Sequence, residues 1–327
     1  MSAWERGKKE RGNNGWWVFA LPALTPSVSP PTLSGMSLDD FKFIYWMEWA
    51  HRMWGRSLGL AFVVPAVAFS ARGWVRGALA RRLALLGTAG ACQGLVGWWM
   101  VRSGLDEPDT PWEIPRVSPV RLAAHLTSAF GIYLGLLYTT LQLAIPGPPP
   151  GLVGGPAAGA AVTALRRAAH PVAALIALTA LSGAFVAGLD AGHAFNTWPE
   201  MGREGRLMPA EYWEEGGLRG ATSSTAPAQF HHRTLAYTTL AATTGVWLAF
   251  RRTPGLPVAC RRALAALPAL AVGQATLGVL TLLSHVPPTL GTLHQVGALT
   301  LLSGAVGLIF TLRRGPTGVV GAVKRAL

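Results

Sequence analysis

The stretch IYWMEWAHRMWGRSLGLAFVVPAVAF, Ile44–Phe69, decides the class of fold. It is long enough to cross about 30 Å of hydrocarbon as a helix, and its second half is apolar without a break. Near its front, within about one turn, stand an acid, an imidazole and a guanidinium: Glu48, His51 and Arg52. Six more runs of this kind follow, at roughly Leu83–Val101, Leu122–Ile145, Val172–Leu189, Leu235–Phe250, Leu264–Ser284 and Leu290–Leu312. Leu235–Phe250 is short at its core and is expected to extend into its flanks. Gly94, Gly97, Gly183 and Pro268 fall inside these runs. In membrane helices small residues let neighbours approach, and a bundle absorbs a proline. Of the 327 residues, 50% are hydrophobic and 13% charged, against about 25% charged in a soluble domain. So much apolar surface excludes disorder. Cys92 and Cys260 are too few and too far apart for a disulfide scaffold or a cysteine metal cluster. The expected fold is all-α and polytopic, with seven clear spans.

The formal net charge is +13, from 28 basic and 15 acidic residues. An excess of that size could serve nucleic acid, but its placement points elsewhere. Arg72, Arg76, Arg81 and Arg82 lie between the first two spans, Arg166 and Arg167 before the fourth, and Arg251, Arg252, Arg261 and Arg262 between the fifth and sixth. Arg313, Arg314, Lys324 and Arg325 follow the last. The alternate loops hold Asp106, Glu107, Asp109, Glu113, Asp190, Glu200, Glu204, Glu211, Glu214 and Glu215. The positive-inside rule puts the basic side in the cytoplasm or matrix. The charge is thus accounted for by topology, and no nucleic-acid partner is expected. Seven spans ending inside would leave the N-terminus outside, although Arg6, Lys8, Lys9 and Arg11 look like an inside end. The apolar run Trp16–Leu24 is too short to span. Either the N-terminus is outside, or a further span at the front has been shortened or lost.

Histidines stand near the outer start of every second span: His51, His125, the adjacent His231 and His232, and His294. The helices that bear them all run from outside to inside, so their imidazoles should lie at similar depth. His51 and His125 fall in one half of the chain, His232 and His294 in the other, and the dipeptide His-Arg recurs in both. That recurrence suggests a duplicated unit. Two imidazoles from separate helices of a bundle can ligate a heme iron from both faces. Arg52 and Arg233, next in sequence, suit its propionates. A zinc site would gather three or four ligands close together. Taken singly, each histidine could equally be an interfacial packing residue. Sequence alone leaves His231 and His232 as alternatives, and His170, His193 and His285 read as structural.

Glu48 lies three residues before His51, on the same helical face. An ionisable group at the edge of hydrocarbon is costly and is a candidate for proton transfer. Its bland alternative is a salt bridge to Arg52. Asp190, at the outer end of a span, could position substrate or cap its loop.

The blocks GMSLDDFKFIYWMEWAHRMWGR (Gly35–Arg56), GLVGWWMVRSGL (Gly94–Leu105), VSPVRLAAHL (Val117–Leu126), FVAGLDAGHAFNTWPEM (Phe185–Met201), AQFHHRTLAY (Ala228–Tyr237) and VPPTLGTLHQVGAL (Val286–Leu299) resemble, in order, the heme A synthase family, mitochondrial type. The resemblance implies two pseudo-symmetric four-helix bundles. It implies oxidation of a methyl group of heme O to a formyl group, by successive hydroxylations with oxygen from water. His51 and His125 would flank the substrate heme, with Glu48 as the essential acid. His232, the histidine directly before Arg233, and His294 would ligate a heme b cofactor. The family has a first helix before the GMSL block, and only Trp16–Leu24 stands there, so the first helix of the N-terminal half is expected to be missing or truncated.

The domain reading that results is an N-terminal segment over 1–34, a substrate-heme half over 35–145, an inner linker over 146–171, a heme b half over 172–312 and a basic inner tail over 313–327. The implied partners are heme O and the synthase that supplies it, an electron acceptor and the lipid bilayer, and a homo-oligomer is compatible with them. The implied location is the mitochondrial inner membrane, with basic loops toward the matrix and the heme-ligating histidines toward the intermembrane side. Two other function classes account for the histidines: a diheme membrane cytochrome that only carries electrons, and a heme transporter. The carrier gives Glu48 no task. The transporter expects polar groups near the midplane, where these spans are built of Leu, Ala, Gly and Val.

Overall fold

In hydrocarbon no water is available to bond exposed peptide groups, so a spanning segment must close its hydrogen bonds within itself. A computed structural model of the chain describes residues 38–105, 116–145, 156–202 and 205–313, and its long elements obey this rule. Among these residues run seven long α-helices: α1 Leu38–Ala71, α2 Gly77–Arg102, α3 Pro119–Ala144, α4 Pro156–Gly188, α5 Thr225–Phe250, α6 Val258–Leu283 and α7 Pro288–Thr311. Trp16–Leu24, the acids Asp106, Glu107, Asp109, Glu113 and Glu204, and the tail beyond Arg313 lie outside the described residues.

Six of the seven helices, all but α5, are long and apolar enough to cross a membrane. The fold is therefore all-α and polytopic. Helix α5 has 26 residues, as many as α2, α3 and α6, and at 1.5 Å per residue is about 39 Å long. It lacks a sufficiently apolar stretch because it carries His231, His232, Arg233 and six threonines. Their hydroxyls are partly absorbed by the helix itself. Thr234 donates to the Phe230 carbonyl at 2.9 Å, Thr238 to that of Thr234 at 2.8 Å and Thr243 to that of Thr239 at 2.8 Å.

Helix ends follow local chemistry. Proline opens α3 and α7, where a missing N–H costs nothing and φ is already helical. Glu215 accepts the Ala226 N–H at 2.9 Å at the start of α5, placing an acid at the positive end of that helix. Helix α4 begins well before the apolar run Val172–Leu189. Residues 156–171 of the stretch read as a linker are its first turns, Ala-rich and continuous through Pro171.

Helices α4, α5, α6 and α7 pack in a closed cycle, each against the next and α7 back against α4. Their buried centre includes Leu165, Ile176, Cys260, Leu264, Leu267, Leu301 and Leu308. On the other side α2 packs on α3, with the Arg82 guanidinium bonded to the Gln142 side chain. Helix α3 joins the two groups by packing on α4 and α7, where the Tyr138 and Phe310 rings meet edge to face at 5.9 Å. Helix α1 packs along α2 and leaves Trp46, Trp54, Leu58, Leu60 and Val64 exposed. Acyl chains solvate such a surface as well as another helix would.

The core is thus concentrated in α4–α7. Leu264, 1% exposed, loses packing partners on all sides when truncated, whereas Leu60, 65% exposed, faces outward. Leu264→Ala should cost about 2–5 kcal/mol and lower the thermal midpoint of the detergent-solubilised protein. Leu60→Ala should leave it nearly unchanged, and equal effects would contradict this placement of the core.

Candidate functional site

The candidate ligands stand on α1, α3, α5 and α7: His125, His232 and His294 fall near the second turn of their helices, whereas His51 lies nearly four turns into α1. His232 on α5 and His294 on α7 are brought together. Their ring centres are 6.3 Å apart and their planes nearly perpendicular, at 87°. Two imidazoles on opposite sides of one metal, each with a nitrogen about 2.0–2.1 Å from it, would have ring centres roughly 6–6.5 Å apart. The observed spacing matches that value, and it also lies within the 4.5–7 Å range of an edge-to-face ring pair. Among the described residues no group of three or more His, Cys, Asp or Glu side chains gathers as a metal cluster.

His231 points elsewhere. Its Nε2 lies 3.2 Å from the hydroxyl of Tyr212, in the segment between α4 and α5 that covers this end of the bundle, and its ring packs against Tyr212 and its helix neighbour Phe230. Adjacent residues on a helix face about 100° apart. One of the two can face the bundle interior while the other anchors the cover.

Arg233 is drawn into that cover. Its Nη1 donates to the Glu200 carbonyl at 3.2 Å and its Nη2 to the Phe195 carbonyl at 3.0 Å. Gln229 donates to the same Phe195 carbonyl at 3.1 Å. The Arg233 Nε is buried with no hydrogen-bond partner. A buried donor on a cation, left over after the backbone contacts are made, suits an anionic group of a ligand beside His232.

Each of three histidines is held by the long helix that precedes its own. Ser182 on α4 lies 2.8 Å from His232 Nδ1, and Gly183 sits so close that a Cβ there would come within 3.0 Å of its Cε1. Gln274 on α6 places its amide nitrogen 3.1 Å from His294 Nδ1 and 2.9 Å from the His294 carbonyl, with Gly278 against Cε1. Gln93 on α2 does the same for His125, at 3.1 Å and 2.8 Å, with Gly97 against the ring. Sequence reading missed these supports. The signal was available: Gln-x-x-x-Gly occurs as QGLVG at Gln93–Gly97 and as QATLG at Gln274–Gly278.

In the other half, His125 is partly buried between α2 and α3, and His51 is exposed on α1. An open apolar groove of about 340 Å³ lies between α2 and α3, lined by Leu85, Leu86, Ala89, Cys92, Val96 and Ile132 and by the His125 neighbours Gln93 and Ser128. The Glu48 carboxylate is only 12% exposed and receives Arg52 Nε at 2.7 Å. Arg52 is thus engaged with Glu48. Asp190 pairs with Arg116, tying the end of α4 to the residues before α3, which favours a bracing role.

The family model COX15-CtaA, described as cytochrome oxidase assembly protein, matches residues 24–306. The chain is 48% identical over 281 residues to heme A synthase COX15 of Arabidopsis thaliana, covering 86% of this chain and 60% of that protein. It is 46% identical over 283 residues to heme A synthase COX15 of Homo sapiens, covering 86% of this chain and 67% of that protein. To the heme A synthase of Rhodospirillum centenum it is 45% identical over 281 residues, covering 85% and 70%. The chain thus spans between 60% and 70% of the length of these relatives. No solved structure matches. The chain belongs to the COX15-CtaA family of cytochrome oxidase assembly proteins.

Proposed function

We propose that this protein is a heme A synthase of the mitochondrial inner membrane, an oxidoreductase that converts heme O to heme A. The names of its relatives support the activity, and the 6.3 Å spacing of His232 and His294 is the observation that carries the heme chemistry. The net change adds one water to a porphyrin methyl group and removes four electrons and four protons, leaving a formyl group. A heme b held between His232 and His294, when bound, supplies one-electron transfer toward an external acceptor. The buried Arg233 Nε would serve one of its propionates.

His51 and His125 hold the substrate heme O in this reading, with Gln93 orienting His125. Glu48 takes protons at the methyl group. Its low exposure and its Arg52 partner keep the carboxylate in place, a turn from His51. In the membrane, α5 is the seventh span, its polar face turned inward to His294 and the cover. The helices form two pseudo-symmetric halves, and the basic turns carrying Arg72, Arg76, Arg251 and Arg252 face the matrix. The site histidines then lie toward the intermembrane side. Heme O and its synthase are the upstream partners in cytochrome oxidase assembly, and an electron acceptor is required for turnover.

The direct test is expression with a heme O source, followed by chromatography of the extracted hemes. Heme B together with heme O and heme A is expected. Heme B alone would point to an electron carrier.

Glu48→Gln keeps the shape but cannot exchange a proton at neutral pH. General acid–base assistance is worth about 10²–10⁴ in rate, so heme O should accumulate and heme A nearly vanish while bound heme is retained. Near-normal heme A would return Glu48 to a structural partner of Arg52.

His232→Ala should abolish or loosen the low-spin heme b spectrum. His231→Ala should leave it nearly intact, because that ring serves Tyr212. Loss with the second variant and not the first would reverse the ligand assignment.

A further inference from the structure

The two halves use the arginine that follows their first histidine differently. In the second half Arg233 bonds two backbone carbonyls and the Gln229 amide oxygen, and among the described residues no carboxylate cancels its charge. In the first half Arg52 donates to Glu48, and that pair carries no net charge. The two propionates of a heme are anions. At the edge of hydrocarbon each needs a cation that is not already neutralised.

A guanidinium of that kind stands one turn from His125. Arg121 precedes His125 by four residues on α3, so the two share a face. Side chains on a helix lean toward its N-terminus, which for α3 is the outer end under the positive-inside rule. Arg121 Nη1 donates to the Trp99 carbonyl at 3.0 Å, and its Cζ lies 4.9 Å from the centre of the Trp99 ring. His125 rests two residues away on the same helix, against Gly97, where a Cβ would come within 2.9 Å of its Cε1. Arg121 and His125 are therefore both seated on residues 97–99 of α2. Among the described residues Arg121 pairs with no carboxylate, and one of its five N–H donors is used.

The neighbouring cations do not meet these conditions. Arg116 is neutralised by Asp190. Arg102 stands five residues beyond Gly97, about 140° round α2 from the face that meets His125, and lies over the Trp98 ring instead. In the second half the position four residues before His294 is Leu290, so a cation at this place belongs to the first site alone.

Resting on the heme reading above, we propose that Arg121 is a substrate-binding residue that takes a propionate of heme O in the N-terminal half. It does there what Arg233 does in the other half, and it leaves Arg52 to Glu48. Trp99 holds the plane of the guanidinium by stacking and by its carbonyl, and the unused N–H edge is the one that meets a carboxylate.

The test is optical titration of the detergent-solubilised full chain, purified with its resident heme, using ferric heme O and heme O dimethyl ester. The ester keeps the ring and the tail but has no propionate charge. The unaltered chain should prefer the diacid. Arg121→Gln should weaken diacid binding about tenfold and leave diester binding unchanged, and Arg121→Lys should restore part of the preference. Equal weakening of both ligands in Arg121→Gln would make Arg121 a packing residue for Trp99 and overturn the proposal, as would unchanged diacid binding. Should Arg121→Gln fail to fold, seen as loss of the resident heme spectrum, the unaltered chain still decides, because no preference for the diacid over the diester would overturn the proposal without any variant. An unaltered chain that binds neither ligand would overturn the substrate reading of this half itself, a failure distinct from these.

Discussion

A ligand imidazole inside a lipid-solvated bundle is useful only if its ring is held, and apolar neighbours alone do not fix the angle of a ring. Here the preceding long helix supplies a polar group at Nδ1 and a glycine against Cε1: Ser182 and Gly183 for His232, Gln274 and Gly278 for His294, Gln93 and Gly97 for His125. Much of the described architecture meets this constraint. Each glycine lets a ring lie almost on a helix backbone, which requires α2 against α3, α4 against α5 and α6 against α7. Two of these contacts, α4 with α5 and α6 with α7, are sides of the closed cycle α4–α7.

The segment between α4 and α5 completes the enclosure from outside. Arg233, Gln229, Tyr212 and Glu215 bind it to the start of α5 through backbone carbonyls, an imidazole and an N-terminal cap. His231 and Arg233, two of the polar residues that leave α5 without a sufficiently apolar stretch, thus hold its cover. A segment able to pair with so many polar side chains makes them tolerable at the membrane edge.

Six of the long helices were legible from hydropathy because runs of Leu, Ala, Val and Gly of the required length have few other uses. The fuller extent of α5 was harder to read: Thr225–Thr234 looks polar, and only the threonine-to-carbonyl bonds and the cover account for its helical state. The start of α4 was hidden for a related reason, since Arg166, Arg167 and Pro171 read as loop while Ala-rich sequence continues the helix through them. The histidines stood out by type and spacing. Their supports did not, because glutamine, serine and glycine are ordinary in such helices, and only the folded chain shows that Gln93 lies against a ring 32 positions away. The choice of His232 over His231 came from the family resemblance; in the fold His232 faces His294 and His231 turns to Tyr212.

The central claim is that His232 and His294 act together on one iron, and low-temperature electron paramagnetic resonance of the oxidised, purified chain tests it most directly. With the two ring planes at 87°, the account expects a low-spin ferric signal of the strongly anisotropic kind given by perpendicular axial imidazoles. A purely high-spin ferric signal, with one imidazole or none on the iron, would contradict it.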